Sequence, residues 1–460
     1  MRAILPSILC CAFVAGCHDS APPTAPLQSP SPDAPRLSVI ATGVTDLGTL
    51  GHQFADVRDI NDFGQIVGVN NDAASYSVGY LWFNGATTEF SSAGESARAE
   101  GINNLGHIVG TSGLRAVTWE NGRLTQLGGL TAGGTATAYA INDRGQIVGY
   151  ARNASSDPRA VVWVNSVPTD LGTLGGPSST AFDINEAGQI VGDSEDAAGQ
   201  VRPVLWANGT PIDLGTLGGA HGIASGINDL GQIVGFSQTG AGNVYHATLW
   251  QNGTATDLGT VGGMLESYAS DVNHLGQIVG HSTDASGAPH ATLWMDGSIY
   301  ELGGVPGAAT ATAVAINDLG EVVGSTADLD HVVRWQVVLR AAIDAVPGDA
   351  TNAIRLAGAG TVNVTVFGSR YFDAAQIDPR TVTLGNEDGS DTPAARKKTG
   401  QSTATLRDVN RDGYADLSLE FDKKQMTSLG DLSASTTKLV LLGARLDGRR
   451  VRGVDKVTVQ

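Results

Sequence analysis

The segment Asp408-Val409-Asn410-Arg411-Asp412-Gly413-Tyr414-Ala415-Asp416-Leu417 carries the most specific chemistry in this sequence. Oxygen-bearing side chains fall at its first, third, fifth and ninth places. Glycine holds the sixth, where a loop wrapped around a hard cation must turn sharply. Asp408, Asn410, Asp412 and Asp416 would ligate through side chains and Tyr414 through its carbonyl. Ca2+ is therefore the expected cofactor. The twelfth place is Leu419 rather than Glu, so a bidentate ligand must come from elsewhere. The bland alternative is an acidic turn.

A second set repeats. Seven Trp are spread along the chain, and the position four before each holds Val78, Arg115, Arg159, Arg202, His246, His290 and His331. On a strand, such a position shares a face with the Trp. Two readings follow: each cation pairs with an acidic residue of a nearby blade, or the six form a cationic ring for an anionic ligand. The Trp themselves are expected between blades, with stacking on sugars as the alternative. Glu89, Glu95, Glu100, Glu195 and Glu266 depart from the repeat pattern, and nothing in the sequence pairs any two of them for glycoside hydrolysis. There is no G-x-S-x-G, no H-E-x-x-H and no phosphate-cradling loop. The expectation is no catalytic residue, hence a non-enzyme.

The three Cys lie at Cys10, Cys11 and Cys17, so the body holds no Cys site or disulfide framework. A positive start, an apolar stretch from Ala3 to Phe13 and Val14-Ala15-Gly16-Cys17 resemble a bacterial lipoprotein signal. That resemblance implies cleavage before Cys17, its acylation, and a secreted lipoprotein at the outer membrane or cell surface. Several acyl chains anchor firmly where one does so only marginally. Residues 18–40 are rich in Pro and Ser and read as a tether.

These residues must be positioned by something regular. Ile-Asn-x-x-Gly-x-Ile-Val-Gly, with small changes, recurs with its Asn at Asn61, Asn103, Asn142, Asn185, Asn228, Asn273 and Asn317. Asp-Leu-Gly-Thr-Leu-Gly, or a remnant of it, ends most repeats. Each unit reads as four short strands joined by Asn and Gly turns. Seven such units of about 40 residues predict a β-propeller. Asp46-Leu47-Gly48 precedes the first unit, while the last unit lacks that string after Trp335. An N-terminal strand is thus expected to complete the last blade and close the ring. The expected order is all-β: propeller over 41–340, then a small β-sandwich-like module over 345–460, where Val362-Asn363-Val364-Thr365-Val366 and Leu417-Ser418-Leu419-Glu420-Phe421 alternate.

Residues 45–335 resemble the bacterial extracellular repeat, HAF family, through DLGTLGG, INDxGQIVG and the segments Tyr245–Trp250 and His290–Trp294. The resemblance implies secreted repeat proteins with no catalytic residue to transfer. The loop at Asp408 departs from an EF-hand and is more similar to integrin-type or dockerin-style calcium loops.

Charge agrees with this picture. The chain carries 28 Lys and Arg against 46 Asp and Glu, a net −18, which makes nucleic acid an unsuitable partner. All six Lys follow Ala394, and the charge break falls near Pro347-Gly348. The expected function is non-catalytic binding, with a polysaccharide or another surface protein as partner. The alternative is a polysaccharide-active hydrolase or lyase with its site in loops that break the symmetry.

Overall fold

The computed structural model describes residues 39–460 apart from 72–75, 91–94, 241, 296, 309, 327–329, 342, 348–352, 357–359, 369–373, 387–388, 395–402, 412, 447–449 and 460. Cys17 and Asp412 lie outside the described residues.

Asn dictates the local structure of each repeat. The Asn228 side-chain oxygen accepts the N–H of Leu230 and of Gln232, at 3.1 and 3.0 Å. Gly231 N–H closes the turn on the Asn228 carbonyl and takes φ +71°, a conformation that suits glycine. The chain reverses, and the strands Gly218–Ile227 and Ile233–Thr239 pair antiparallel. Asn252 and Gly253, both at positive φ, make the next hairpin into Thr254–Asp257. Six such four-stranded sheets follow one another from Ala55 to Glu301. The seventh contains Ala311–Ile316, Glu321–Thr326 and Val332–Ala341, and Val39–Gly48 pairs antiparallel with the last of these. The protein is a seven-bladed β-propeller.

The same seven Asn join the blades. Each donates its side-chain N–H to the backbone carbonyl of the Asn in the next blade, from Asn61 to Asn103 and onward to Asn317. Asn317 donates to the Asn61 carbonyl at 3.0 Å, which completes a circle of seven buried hydrogen bonds around the axis.

Between blades, the Trp fill the space as expected. Trp206 packs with Val148 and Ala160 of the preceding blade and with Ile184 and Ile190 of its own. Trp163, Trp250, Trp294 and Trp335 donate ring N–H to carbonyls of Gly128, Gly215, Gly259 and Gly303 in the blade before, at 2.6–3.2 Å. Six of the seven are at most 5% exposed, so they present no stacking face to a ligand.

The C-terminal part pairs Thr361–Val366 with Asp416–Asp422 in one sheet and Lys438–Ala444 with Arg450–Lys456 in another. Val364, Leu419, Phe421, Leu439 and Leu441 are buried in one apolar cluster. The helix Lys423–Leu429 was not anticipated. Asp422 caps its start by accepting Gln425 N–H, and Gly430 ends it in the left-handed conformation. The last propeller strand continues into parallel pairing with Arg450–Lys456, at Leu339 to Val451.

Candidate functional site in the central channel

The first strand of each blade surrounds the axis, and one of its faces varies. Val57, Ala99, Ala138, Ala181, Ala224, Ala269 and Ala313 point into the blade contacts and are at most 2% exposed. The next residue in each strand is a β-bulge: Arg58, Glu100, Tyr139, Phe182, Ser225, Ser270 and Val314. A bulge re-aims its side chain and increases the local twist. So the position aimed by a bulge differs among the seven repeats in charge, size and polarity.

The Ile-Val-Gly glycine explains how the bulge fits. In all seven blades a Cβ on this glycine would lie 1.9–2.1 Å from a carbonyl oxygen of the first strand. Only glycine allows the bulged strand to come so close.

At the end of the channel away from the Asn turns, blades one to three enclose a cavity of about 410 Å3 lined by Arg58, Arg98, Glu100, Tyr139 and Tyr150, among others. Arg58 binds Asp56 at 2.6 Å and lies 3.4 Å from Glu100. Arg98 binds the other oxygen of Glu100 at 2.7 Å. Two cations and two anions thus form one array, in which the buried Arg58 Nε makes no hydrogen bond. Beside it the Tyr139 ring lies 6.1 Å from that of Tyr150 and 5.6 Å from Phe182. Burial pushes the Tyr139 hydroxyl up to about 12.

A second aromatic cluster lies in blades five and six. Phe236 meets Tyr268 at 4.9 Å, Tyr268 stacks on His281 at 5.1 Å, and its hydroxyl donates to Glu266 at 2.9 Å. Burial holds His281 below the usual histidine range. Asp193, in blade four, is raised by burial to about 7.

The other end of the channel is acidic. A cavity of about 230 Å3 is lined by the Asn ring and by the residues after each Asn, of which Asp62, Asp143, Glu186, Asp229 and Asp318 are carboxylates. Below them sit Asp59, Asp183 and Asp271. Each bridges two blades: one oxygen accepts the N–H of its own neighbour, Ile60, Ile184 or Val272, and the other that of Ile102, Ile227 or Ile316 in the following blade, at 2.7–2.9 Å. These residues are half-buried, yet their carboxyls are deeply desolvated. Burial raises Asp59 to about 8 and Asp271 to about 7, and raises Asp183 as well. The equivalent position in blades two, three, five and seven is Gly101, Ala140, Gly226 and Ala315. Among the described residues only Ile141 N–H, in blade three, has no such carboxylate.

The Arg and His set is paired within blades. Arg159 binds Asp170 and Arg202 binds Asp213, at 3.2 and 3.0 Å. His246, His290 and His331 meet Asp257, Glu301 and Asp46 at 2.8–2.9 Å. The acid comes from the outer strand of the same blade, not from another blade as expected, because the hairpin folds residue i+11 back beside residue i. Asp46 is supplied by Val39–Gly48, the strand that pairs into blade seven. Arg115 departs: Gln126 replaces the acid, and its guanidinium reaches the Gly134 carbonyl at 3.4 Å. In blade one Val78 replaces the cation, and Glu89 binds His52 at 2.6 Å instead.

In the C-terminal loop, Asp416 is fully buried. One of its oxygens accepts Gly368 N–H and the other accepts Val409 and Asn410 N–H. Asp408 accepts Gly413 N–H at 3.0 Å. Among the described residues no group of three or more His, Cys, Asp or Glu converges as a metal cage. Asp416 thus organises the loop. Three backbone donors occupy three of the roughly four acceptor directions of a carboxylate, which leaves it room for little more than one metal bond.

Sequence reading flagged Glu100 and Glu266 but missed Arg58, Arg98, Tyr139 and Tyr150, together with the three bridging Asp. The available signal was positional: these residues stand two, three or five places before the repeated Asn, or just after the Ile-Val-Gly glycine, where the repeats cease to agree.

No known sequence family matches the chain, and no curated protein matches it. Solved structures do. A gluconolactonase from Xanthomonas campestris is 12% identical, with 64% of this chain and 89% of that chain covered and a TM-score of 0.35. The β-propeller domain of the Trilobed protease from Pyrococcus furiosus is 8% identical, covering 62% and 97%, with a TM-score of 0.36. The β-propeller domain of Cps50 from Myceliophteria thermophila is 10% identical, covering 66% and 100%, with a TM-score of 0.38.

Proposed function

We propose that this protein is a non-catalytic binding protein whose ligand enters the cavity bordered by blades one to three. The bulge position carries the reading. Ala or Val repeats where blades touch, whereas Arg, Glu, Tyr, Phe, Ser, Ser and Val follow at the channel. Packing alone needs no such diversity at one repeated, half-buried position. The test is an array of oligosaccharides and peptides probed with the protein and with Tyr139→Ala. Binding that the substitution leaves untouched would place the ligand elsewhere.

The setting belongs to the same proposal. The protein is an HAF-type secreted lipoprotein held to a membrane through acylated Cys17, and its C-terminal loop binds Ca2+ through Asp408, Asn410, Asp412, Tyr414 and Asp416. The Arg115, Arg159, Arg202, His246, His290 and His331 set serves the fold, since five of its members already face a carboxylate.

One observation favours an enzyme as the second reading. Burial raises the Asp193 carboxyl to about 7, so it holds a proton part of the time near neutral pH, as the general acid of a glycoside hydrolase must. Shortened products in a polysaccharide digest would establish it.

A further inference from the structure

We infer that the cavity of blades one to three takes a neutral saccharide. The inference rests on the binding reading above and specifies its ligand.

Charge comes first. Arg58 and Arg98 are cancelled by Glu100 in the cavity wall and by Asp56 behind Arg58. An anionic ligand would have to compete with Glu100 for both guanidinium groups, and a cationic one would meet two arginines. A neutral ligand disturbs neither pair.

Hydrogen-bonding capacity comes next. Each guanidinium carries five N–H donors, of which the pairs use only some, and each carboxylate retains acceptor directions. The wall therefore offers donors and acceptors side by side. A sugar hydroxyl is both at once, and vicinal hydroxyls match the spacing of planar, two-pronged groups. Because the pairs hold these groups in place, little ordering is required on binding.

Shape completes the argument. Tyr139 and Tyr150 are half-buried, so each keeps part of its ring surface at the cavity. An aromatic face is apolar and rigid, and it suits the C–H face of a pyranose ring. Tyr139 also meets Phe182, so the apolar surface continues from the cavity toward blade four. The volume of about 410 Å3 lies within the ~300–1,000 Å3 of ligand pockets.

Titration calorimetry on the full chain decides it. The probes are neutral hexasaccharides of glucose, mannose, galactose and xylose, with hexagalacturonate as the anionic probe and a polar hexapeptide as the uncharged non-sugar. The wild-type protein is expected to bind at least one neutral hexasaccharide. Tyr139→Ala and Arg98→Gln are expected to weaken that binding at least about tenfold, or ~1.4 kcal/mol. Arg202→Gln, at the blade rim, is expected to leave it unchanged. Thermal melting of each variant separates lost binding from lost fold, and Tyr139→Leu, which keeps apolar bulk but removes the ring face, serves where Tyr139→Ala unfolds, with the same weakening expected. Neutral binding insensitive to Tyr139 and Arg98 overturns the assignment. Hexagalacturonate or the peptide bound through Tyr139 overturns the saccharide class but keeps the channel as the binding site. Binding of no probe overturns both. Shortened sugars by mass spectrometry overturn only the non-catalytic part of the reading.

Discussion

Asn228 accepts two backbone N–H groups of its own turn and donates to Gln232 and to the Asn273 carbonyl of the next blade. Removing that side chain strands several buried polar groups, each worth roughly 1–3 kcal/mol when unsatisfied. Asn228→Ala is expected to destabilise the protein by about 2–4 kcal/mol in denaturant unfolding. Arg202→Ala breaks a pair that keeps contact with water, and under ~1 kcal/mol is expected in the same measurement. Ranking these two the other way would mean that the rim pairs, not the Asn circle, hold the blades. The Asn turn was legible from sequence because its hydrogen bonds are local. The partner of Arg202 was not inferred, although the constant offset of eleven residues to Asp213 was there to be counted.

Strands were legible in number and order, since alternation and Asn-Gly turns mark them directly. The bulge was not, because it slips the in-out alternation by one place within a strand of only six residues, as at Ala55–Ile60, too short for the slip to stand out. Its clearer imprint is the glycine of Ile-Val-Gly. Gly235→Ala would place a Cβ 2.1 Å from the Ile223 carbonyl oxygen. The bulge must then shift, and a loss of more than about 2 kcal/mol is expected in chemical unfolding, against the ~1 kcal/mol gain of a compatible Gly→Ala site. At the Asp408 loop, excess calcium is expected to raise the melting temperature of the full chain, and Asp408→Asn to abolish that rise. An identical melting curve in calcium and in chelator would remove calcium from the proposal. The helix at Lys423 escaped notice because it is too short to show a helical period.

The ring as a whole was legible from counting: seven Asn, seven Trp and one Asp-Leu-Gly string displaced to the front. What the count does not contain is the axis, where residues distant in sequence meet. Asp59, Asp183 and Asp271 are raised in the folded state, so the folded protein holds protons that the unfolded chain has released. Their contribution to stability is full below pH ~4 and is lost as pH rises through about 7–8. Each contributes up to ~1.4 kcal/mol per pH unit in that window. His281 acts in the opposite sense, but only below its ordinary value near 6.5. Melting temperature is therefore expected to fall between pH 5 and pH 8, and Asp59→Asn to flatten the slope. A curve that rises over this range would show the three carboxyls to be ionised in the fold.

Each bridging carboxylate serves a couple of blades: one with two, four with five, six with seven. Blade three stands alone. Seven is odd, so a rule of sharing by twos must leave one amide over. The arithmetic bears on how such a ring tolerates growth. Lengthening by two repeats adds one acid for two amides and again leaves one amide over. Lengthening by one repeat either leaves a second bachelor amide or lets blade three find a mate.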